Sequence, residues 1–174
     1  MTQAWYPIRQ LFEWVDTLPS SIALRESQYL WSWITIAHVV GVCVFAGLLV
    51  MMDLRLLGVG HRALSFERLQ RRLFQWQMAG MVLAFATGVA LVYAQPLRFY
   101  GSAFFWMKMA TMGLAAVNAL TFHHGAYTSV RDWDDAPRPP REARLAAILG
   151  IVLWATVIVE GRLIPYSLTW FPQG

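Results

Sequence analysis

The sequence predicts an all-α integral membrane protein, a four-helix bundle preceded by an amphipathic helix that lies in the membrane interface. Three observations support this prediction: four long runs are nearly free of charge, 57% of the 174 residues are hydrophobic while only 14% are charged, and most arginines stand in short connectors. Soluble domains contain about 25% charged residues. A helix that crosses a bilayer needs about 20 predominantly apolar residues. We therefore expect residues 1–174 to form a single membrane domain.

The first predicted element is a short helix over residues 5–18. Pro7 suits its first turn, and residues 19–21 both end it and offer an N-cap for the next helix. Its apolar side chains recur at helical spacing, as expected for a helix lying in the interface. They are Trp5, Ile8, Leu11, Phe12, Val15 and Leu18.

Four spans are predicted at about residues 27–52, 73–97, 103–125 and 145–166. The first two contain no full charge, whereas the third contains Lys108 near its start. The fourth contains Glu160 and Arg162 near its end. Residues 131–144 contain Asp132, Asp134, Asp135 and the proline-rich run 137–140, which predicts a polar connector between the last two spans.

The distribution of arginine predicts the orientation. Residues 53–72 contain five arginines and residues 126–144 contain four, whereas the other side of the membrane has Arg9, Arg25, Arg98 and Arg162. Because arginine-rich connectors stay in the cytoplasm, we expect a multi-pass protein of the bacterial inner membrane with both termini in the periplasm. The basic pI near 9.6 then reflects orientation, and nucleic acid is not expected as a partner.

His38 is the residue that most needs an explanation, because an imidazole in the middle of a span requires a partner. One candidate is haem b, with His38 and His123 as axial ligands from facing helices and Gly41 and Gly113 as low-profile neighbours of the ring. The two histidines differ in predicted depth by about 10 Å, which strains this pairing. His61 and His124 are less favoured ligands of a metal.

Two other roles for His38 stay open at this point. The ring can form a structural hydrogen bond to a threonine, an asparagine or a carbonyl on a neighbouring helix, with Asn118 as one candidate, or it can serve a proton or a quinone. Cys43 is the single cysteine, so the sequence offers neither a disulfide nor a thiolate metal site.

A second group of polar residues, Lys108, Glu160 and Arg162, falls near the outer ends of the spans. Ionisable side chains inside a span normally pair or line a cavity. A Lys108–Glu160 ion pair is one interpretation of this outer cluster. The other is a polar pocket that binds a quinol head group or exchanges protons, walled by Trp106, Trp154 and Tyr166.

Several strings together resemble a family of small four-span bacterial membrane proteins known only as a domain of unknown function. They are Arg25–Ser27 with Trp31, His38-x-x-Gly41, Asp53-Leu-Arg-Leu-Leu-Gly58, Lys108 with Asn118-x-x-x-Phe122-His123, Trp133-Asp134 and Gly161-Arg162. The resemblance covers nearly the whole chain and implies the fold more than a function. A looser similarity is to HemJ-type and CopD-like four-span proteins, which implies functional counterparts at His38, Lys108 and His123.

Two functions follow as expectations. The first is a membrane-embedded haem-b electron-transfer subunit that links a periplasmic redox partner to quinone. The second is a non-catalytic membrane anchor or assembly protein in which His38 only joins helices. The sequence does not decide whether the protein is an enzyme or whether it forms an oligomer.

Overall fold

The computed structural model describes residues 6–59, 65–134 and 139–167, and these residues are helical apart from short turns and caps. Four helices are long and apolar enough to cross a membrane, which confirms the predicted all-α, multi-pass architecture. The α-helices are α1 Tyr6–Asp16, α2 Pro19–Glu26, α3 Gln28–Leu56, α4 Phe66–Ala94, α5 Pro96–Tyr100, α6 Ala103–His124, α7 Val130–Trp133 and α8 Arg141–Leu163; the 3-10 turns are Ala126–Ser129 and Ile164–Tyr166.

The long helices extend beyond the apolar runs into charged sequence at one end. Helix α3 includes Asp53 and Arg55, and α4 begins seven residues before the predicted span, at Phe66. Charged side chains at a helix end can reach the polar interface while the backbone stays helical. Gly58, with a φ of 78°, follows the end of α3, where glycine adopts left-handed backbone at no steric cost.

The predicted cap of the first span was wrong. Residues 19–21 do not precede α3 directly, because Pro19 begins the separate helix α2, as proline does readily at a first helical position. The hydroxyl of Ser27 caps α3 by accepting the N–H of Leu30. Residues 96–100, at the end of the second predicted span and just beyond it, form the separate short helix α5.

The four long helices pack in the order α4, α3, α8 and α6. Helix α3 packs against both α4 and α8, and α6 packs mainly along α8. Among the described residues α4 and α6 form no extensive interface. We call the end with α2, α5 and the turn Ile164–Tyr166 the terminal side, and the opposite end, where α3 ends and α4 begins, the connector side.

Helices α3 and α4 cross closely through two glycines. A Cβ at Gly41 would lie 2.7 Å from the backbone nitrogen of Ala84, and a Cβ at Gly80 would lie 2.9 Å from that of Phe45. Small residues permit such close approach of backbones inside a membrane, where packing holds helices together. The crossing fixes the face of α3 that carries His38 against α4.

Short helices cover the terminal side. The hydroxyl of Ser21, fully buried, donates to the carbonyl of Tyr93 at 2.8 Å and ties α2 to α4. The ring of Phe12 in α1 lies 5.4 Å from that of Tyr100 in α5. Leu11 and Trp14 of α1 remain exposed, and such side chains are the ones that an interfacial helix inserts into lipid.

A polar junction closes the connector side. Asp134, which follows α7, accepts hydrogen bonds from the backbone N–H groups of Phe66 at 2.6 Å and Glu67 at 3.0 Å, and so caps α4. Its carboxylate also pairs with Arg55 of α3 at 3.5 Å. Apolar side chains surround this junction, with the indole of Trp133 donating to the carbonyl of Ala126. The first part of the connector, up to Asp134, is therefore packed against the helical bundle.

Candidate functional site

His38 is held between α3 and α4 by its Nδ1 atom. Nδ1 lies 2.9 Å from the carbonyl oxygen of Ala84 and 3.1 Å from the hydroxyl of Thr87. A carbonyl oxygen only accepts hydrogen bonds, so Nδ1 carries the hydrogen and donates it. In the neutral ring Nε2 is then a lone-pair acceptor, and it has no hydrogen-bond partner among the described residues.

Two neighbouring residues of α4 define the position of the ring. The hydroxyl of Thr87 donates back to the carbonyls of Leu83 and Ala84, which leaves its lone pairs toward His38. A Cβ at Gly88 would lie 3.1 Å from Cε1 of His38. The absence of a side chain at position 88 therefore lets the imidazole lie directly against α4.

Lys108 and Glu160 bring the other half of the bundle to the same site. The Lys108 side chain crosses the backbone of Gly161, where a Cβ would lie 3.0 Å from Nζ. Its ammonium acts electrostatically on both the His38 ring and the Glu160 carboxylate. Charges interact over several ångströms in a medium of low dielectric constant, so all three side chains belong to one polar cluster.

The carboxylate of Glu160 is buried, with 5% of the residue exposed. Its Oε1 accepts a hydrogen bond from the hydroxyl of Thr111 at 3.1 Å. Its Oε2 is buried without a hydrogen-bond partner in the described part of the chain. We call His38, Thr87, Lys108, Thr111 and Glu160 the intramembrane cluster.

The intramembrane cluster lies in the half of the bundle nearer the terminal side. At 1.5 Å per residue, His38 lies about 15 Å from the start of α3, and Lys108 lies about 8 Å from the start of α6. Glu160 lies three residues, about 4.5 Å, before the end of α8. The site is therefore within reach of the membrane interface on that side.

The structure does not bring His123 to His38. His123 lies fifteen residues beyond Lys108 on α6, about 22 Å further along the helix. It is exposed and stacks on Tyr127, with 4.8 Å between the ring centres. His124 is exposed beside it. The remaining histidine of the prediction, His61, lies outside the described residues.

The two glycines predicted as low-profile neighbours of the haem ring have different surroundings in the structure. The space beside Gly41 is filled by the backbone of α4, so this glycine serves the crossing of two helices and not a flat ligand. Gly113 is exposed, and a Cβ there would meet nothing within 4 Å. Neither glycine therefore borders an enclosed space beside the His38 ring that a flat ligand could fill.

Two further side chains lie apart from their predicted partners. Asn118 donates to the carbonyl of Ala146 at 2.9 Å and ties α6 to α8, so it is not the partner of His38. Arg162 is exposed, with its guanidinium 5.8 Å from the centre of the Tyr166 ring. In the described ranges Lys108 and Glu160 do not form a direct ion pair, although they act on each other electrostatically.

The donor groups present fit one haem ligand and not two. Two axial nitrogens must each lie about 2 Å from the iron, close to the Zn–N distances of histidine ligands. His38 lies about 15 Å and His123 about 30 Å along their helices from the terminal side, and a separation of about 15 Å is too large for both to bind one iron. The His38 ring alone has the form of a ligand, because its second nitrogen is fixed by a backbone carbonyl. No group of three or more histidines, cysteines or carboxylates gathers at one point of the described chain.

Sequence reasoning did not assign Thr87 or Thr111 to the site, whereas it included Gly88 among the small residues that could lie beside a flat ligand. Each stands in an apolar run where a single threonine or glycine is common in membrane helices. Their only signal is helical spacing within a span, which becomes meaningful once the partner helix is known.

These observations define the class of protein: a four-span helical membrane protein with a polar cluster contributed by all four long helices. The chain belongs to a family of unknown function, DUF6644, which matches residues 11–167. The match confirms the predicted membership of an uncharacterised family, whereas the comparisons give no support to a similarity with HemJ-type or CopD-like proteins. No curated protein and no solved structure matches the chain.

Proposed function

We propose that the protein is a membrane-embedded redox subunit that binds a quinol head group at the intramembrane cluster and exchanges its electrons with a periplasmic redox partner. The observation that supports this function best is the fixed Nδ1 of His38, which leaves Nε2 as an acceptor inside the membrane. A quinol has an isoprenoid tail that is soluble in lipid, so its head group can reach the depth of His38 in the membrane. The hydroxyl of that head group is a hydrogen-bond donor. Oxidation of a quinol releases two electrons and two protons.

The other members of the cluster suit the same ligand. Lys108 supplies a positive charge opposite His38, which favours a head-group oxygen that gains negative charge when its proton leaves. The limited contact between α4 and α6 is compatible with lateral access from lipid. The arginine distribution supports a periplasmic position for the terminal side, where the redox partner would act.

Replacement of His38 with glutamine is expected to weaken quinol binding about tenfold, which corresponds to about 1.4 kcal/mol. Loss of one hydrogen bond to a buried acceptor has this magnitude. The measurement is titration of the detergent-solubilised protein with a short-chain ubiquinol and a short-chain menaquinol, followed by tryptophan fluorescence. His124→Gln, at an exposed position, is the matched control and should bind like the wild type.

Equal affinities of the two variants would contradict the role of His38. Failure of the wild type to bind either quinol would instead favour the second function, a membrane anchor or assembly protein. The hydrogen bond from His38 to Ala84 supports that alternative, because it already joins α3 to α4 without any ligand.

Haem b on His38 is a second candidate, favoured by the same fixed Nδ1. Haem would supply one-electron transfer, with its potential set by its axial ligand and by burial. Protein purified in mild detergent from haem-replete cells should then show reduced-minus-oxidised bands of b type. We expect His38→Ala to abolish these bands and His123→Ala to retain them. A colourless, folded preparation would remove haem from the proposal and leave the quinol site.

A further inference from the structure

We infer that Glu160 is the proton-transfer residue of the intramembrane cluster, receiving a quinol proton at Oε2 and passing it toward the terminal side. This inference rests on the proposed function. His38 has a single available nitrogen and accepts only one of the two quinol protons. The inference gives the second proton a separate route.

The first argument is the unsatisfied oxygen. Oε1 of Glu160 accepts from Thr111 at 3.1 Å, whereas Oε2 is buried without a hydrogen-bond partner in the part of the chain that the structure describes. A buried polar atom left without a partner costs about 1–3 kcal/mol, and more when charged. Native proteins keep few such atoms, and those they keep point to an ion, a water or a ligand. Oε2 therefore marks where a ligand or a water donates a hydrogen.

The second argument is the position of Glu160 among the charged groups. Lys108 of α6 acts on it electrostatically and also acts on His38, so one cation influences both the carboxylate and the imidazole. Helix α8 ends three residues after Glu160, with the exposed Arg162 in its last turn and the exposed Tyr166 beyond its end. A proton on Oε2 is thus about one helical turn from the terminal-side interface.

The step balances as follows. The quinol loses two electrons and both hydroxyl protons and becomes the quinone. The two electrons go to a one-electron acceptor. In the proposal this acceptor is the periplasmic redox partner. In the assay it is ferricyanide, and two ferricyanide ions accept one electron each. One proton goes to Nε2 of His38, and the other goes to Oε2 of Glu160 and then to water on the terminal side.

The experiment measures quinol affinity and quinol oxidation separately. A short-chain ubiquinol is titrated into wild type, E160Q, E160D and T156V, and its oxidation by ferricyanide is then followed in H₂O and D₂O. Thr156 lies on the same helix but donates to the carbonyl of Val152, so T156V should match the wild type in every measurement.

We expect E160Q to bind the quinol within about twofold of the wild type and to oxidise it at least about tenfold more slowly, with a larger solvent isotope effect. E160D, which keeps the carboxylate on a shorter side chain, should recover part of the rate, and it serves as the test variant if E160Q does not fold. A residue with only a structural role would not change the isotope effect.

Two results would overturn the inference, and they are distinguishable. If the E160Q protein binds quinol and has the rate and isotope effect of the wild type, the role of Glu160 is disproved and the proposed function is unaffected. Absence of quinol binding by the wild-type protein would remove both.

Discussion

The Asp134→Ala variant is expected to lose about 3–5 kcal/mol of the free energy of unfolding, the cost of breaking a buried ion pair on one side. The Asp134 and Arg55 side chains are only 7% and 9% exposed. The substitution leaves a buried guanidinium without this carboxylate, and it removes the acceptor of two N–H groups at the start of α4. Titration with denaturing detergent in mixed micelles, monitored by circular dichroism, measures the loss.

Glu67→Gln provides the control on the same side of the membrane. Glu67 pairs with Arg71 and Arg131, whose side chains are 72% and 77% exposed. Exposed ion pairs contribute little to stability, so this variant should unfold at the same detergent concentration as the wild type. A similar, small loss in both variants would show that the Asp134 junction does not stabilise the bundle.

The second large effect is expected at the crossing of α3 and α4, where Gly41→Ala should cost about 1–3 kcal/mol. The added methyl group would lie 2.7 Å from the backbone nitrogen of Ala84, and backbone cannot rotate away as a flexible side chain can. The helices must separate, which also lengthens the hydrogen bond from His38 to the carbonyl of Ala84. The same detergent titration reports the stability, and quinol affinity reports the displaced ring.

Gly47→Ala is the matched control on the same helix. A Cβ at Gly47 meets nothing within 4 Å, and alanine in a helix interior is more favourable than glycine by about 1 kcal/mol. This variant should equal or exceed the wild type in stability. If Gly41→Ala behaved in the same way, the close approach of α3 and α4 would be disproved.

The fold could be predicted because its signals are local. The uncharged run over residues 27–52 has the length of a membrane span, and α3 extends from Gln28 to Leu56. The helix ends were less predictable. The Arg55–Asp134 pair joins residues that are far apart in the chain. Only the packed bundle shows that the charged residues in 53–56 and 66–72 are helical and form the connector-side ends of α3 and α4.

The candidate site could be predicted in part, for a physical reason. His38, Lys108 and Glu160 are costly inside a membrane and are therefore conspicuous in sequence. Their partners are inconspicuous: a backbone carbonyl at Ala84, a threonine and a missing side chain at Gly88. Gly41 shows the same limit, since a small residue one turn from a histidine fits either a flat ligand or a second helix, and which of them it meets depends on helix packing.

The cap on α4 has a consequence for the order of assembly during synthesis. The N–H of Phe66 finds its acceptor 68 residues later in the chain, at Asp134. A ribosome therefore delivers α3, α4 and α6 before the residue that completes the start of α4 is made. The first three spans must enter the bilayer with that end unfinished, and translation of Asp134 completes it shortly before α8, the last long helix, emerges.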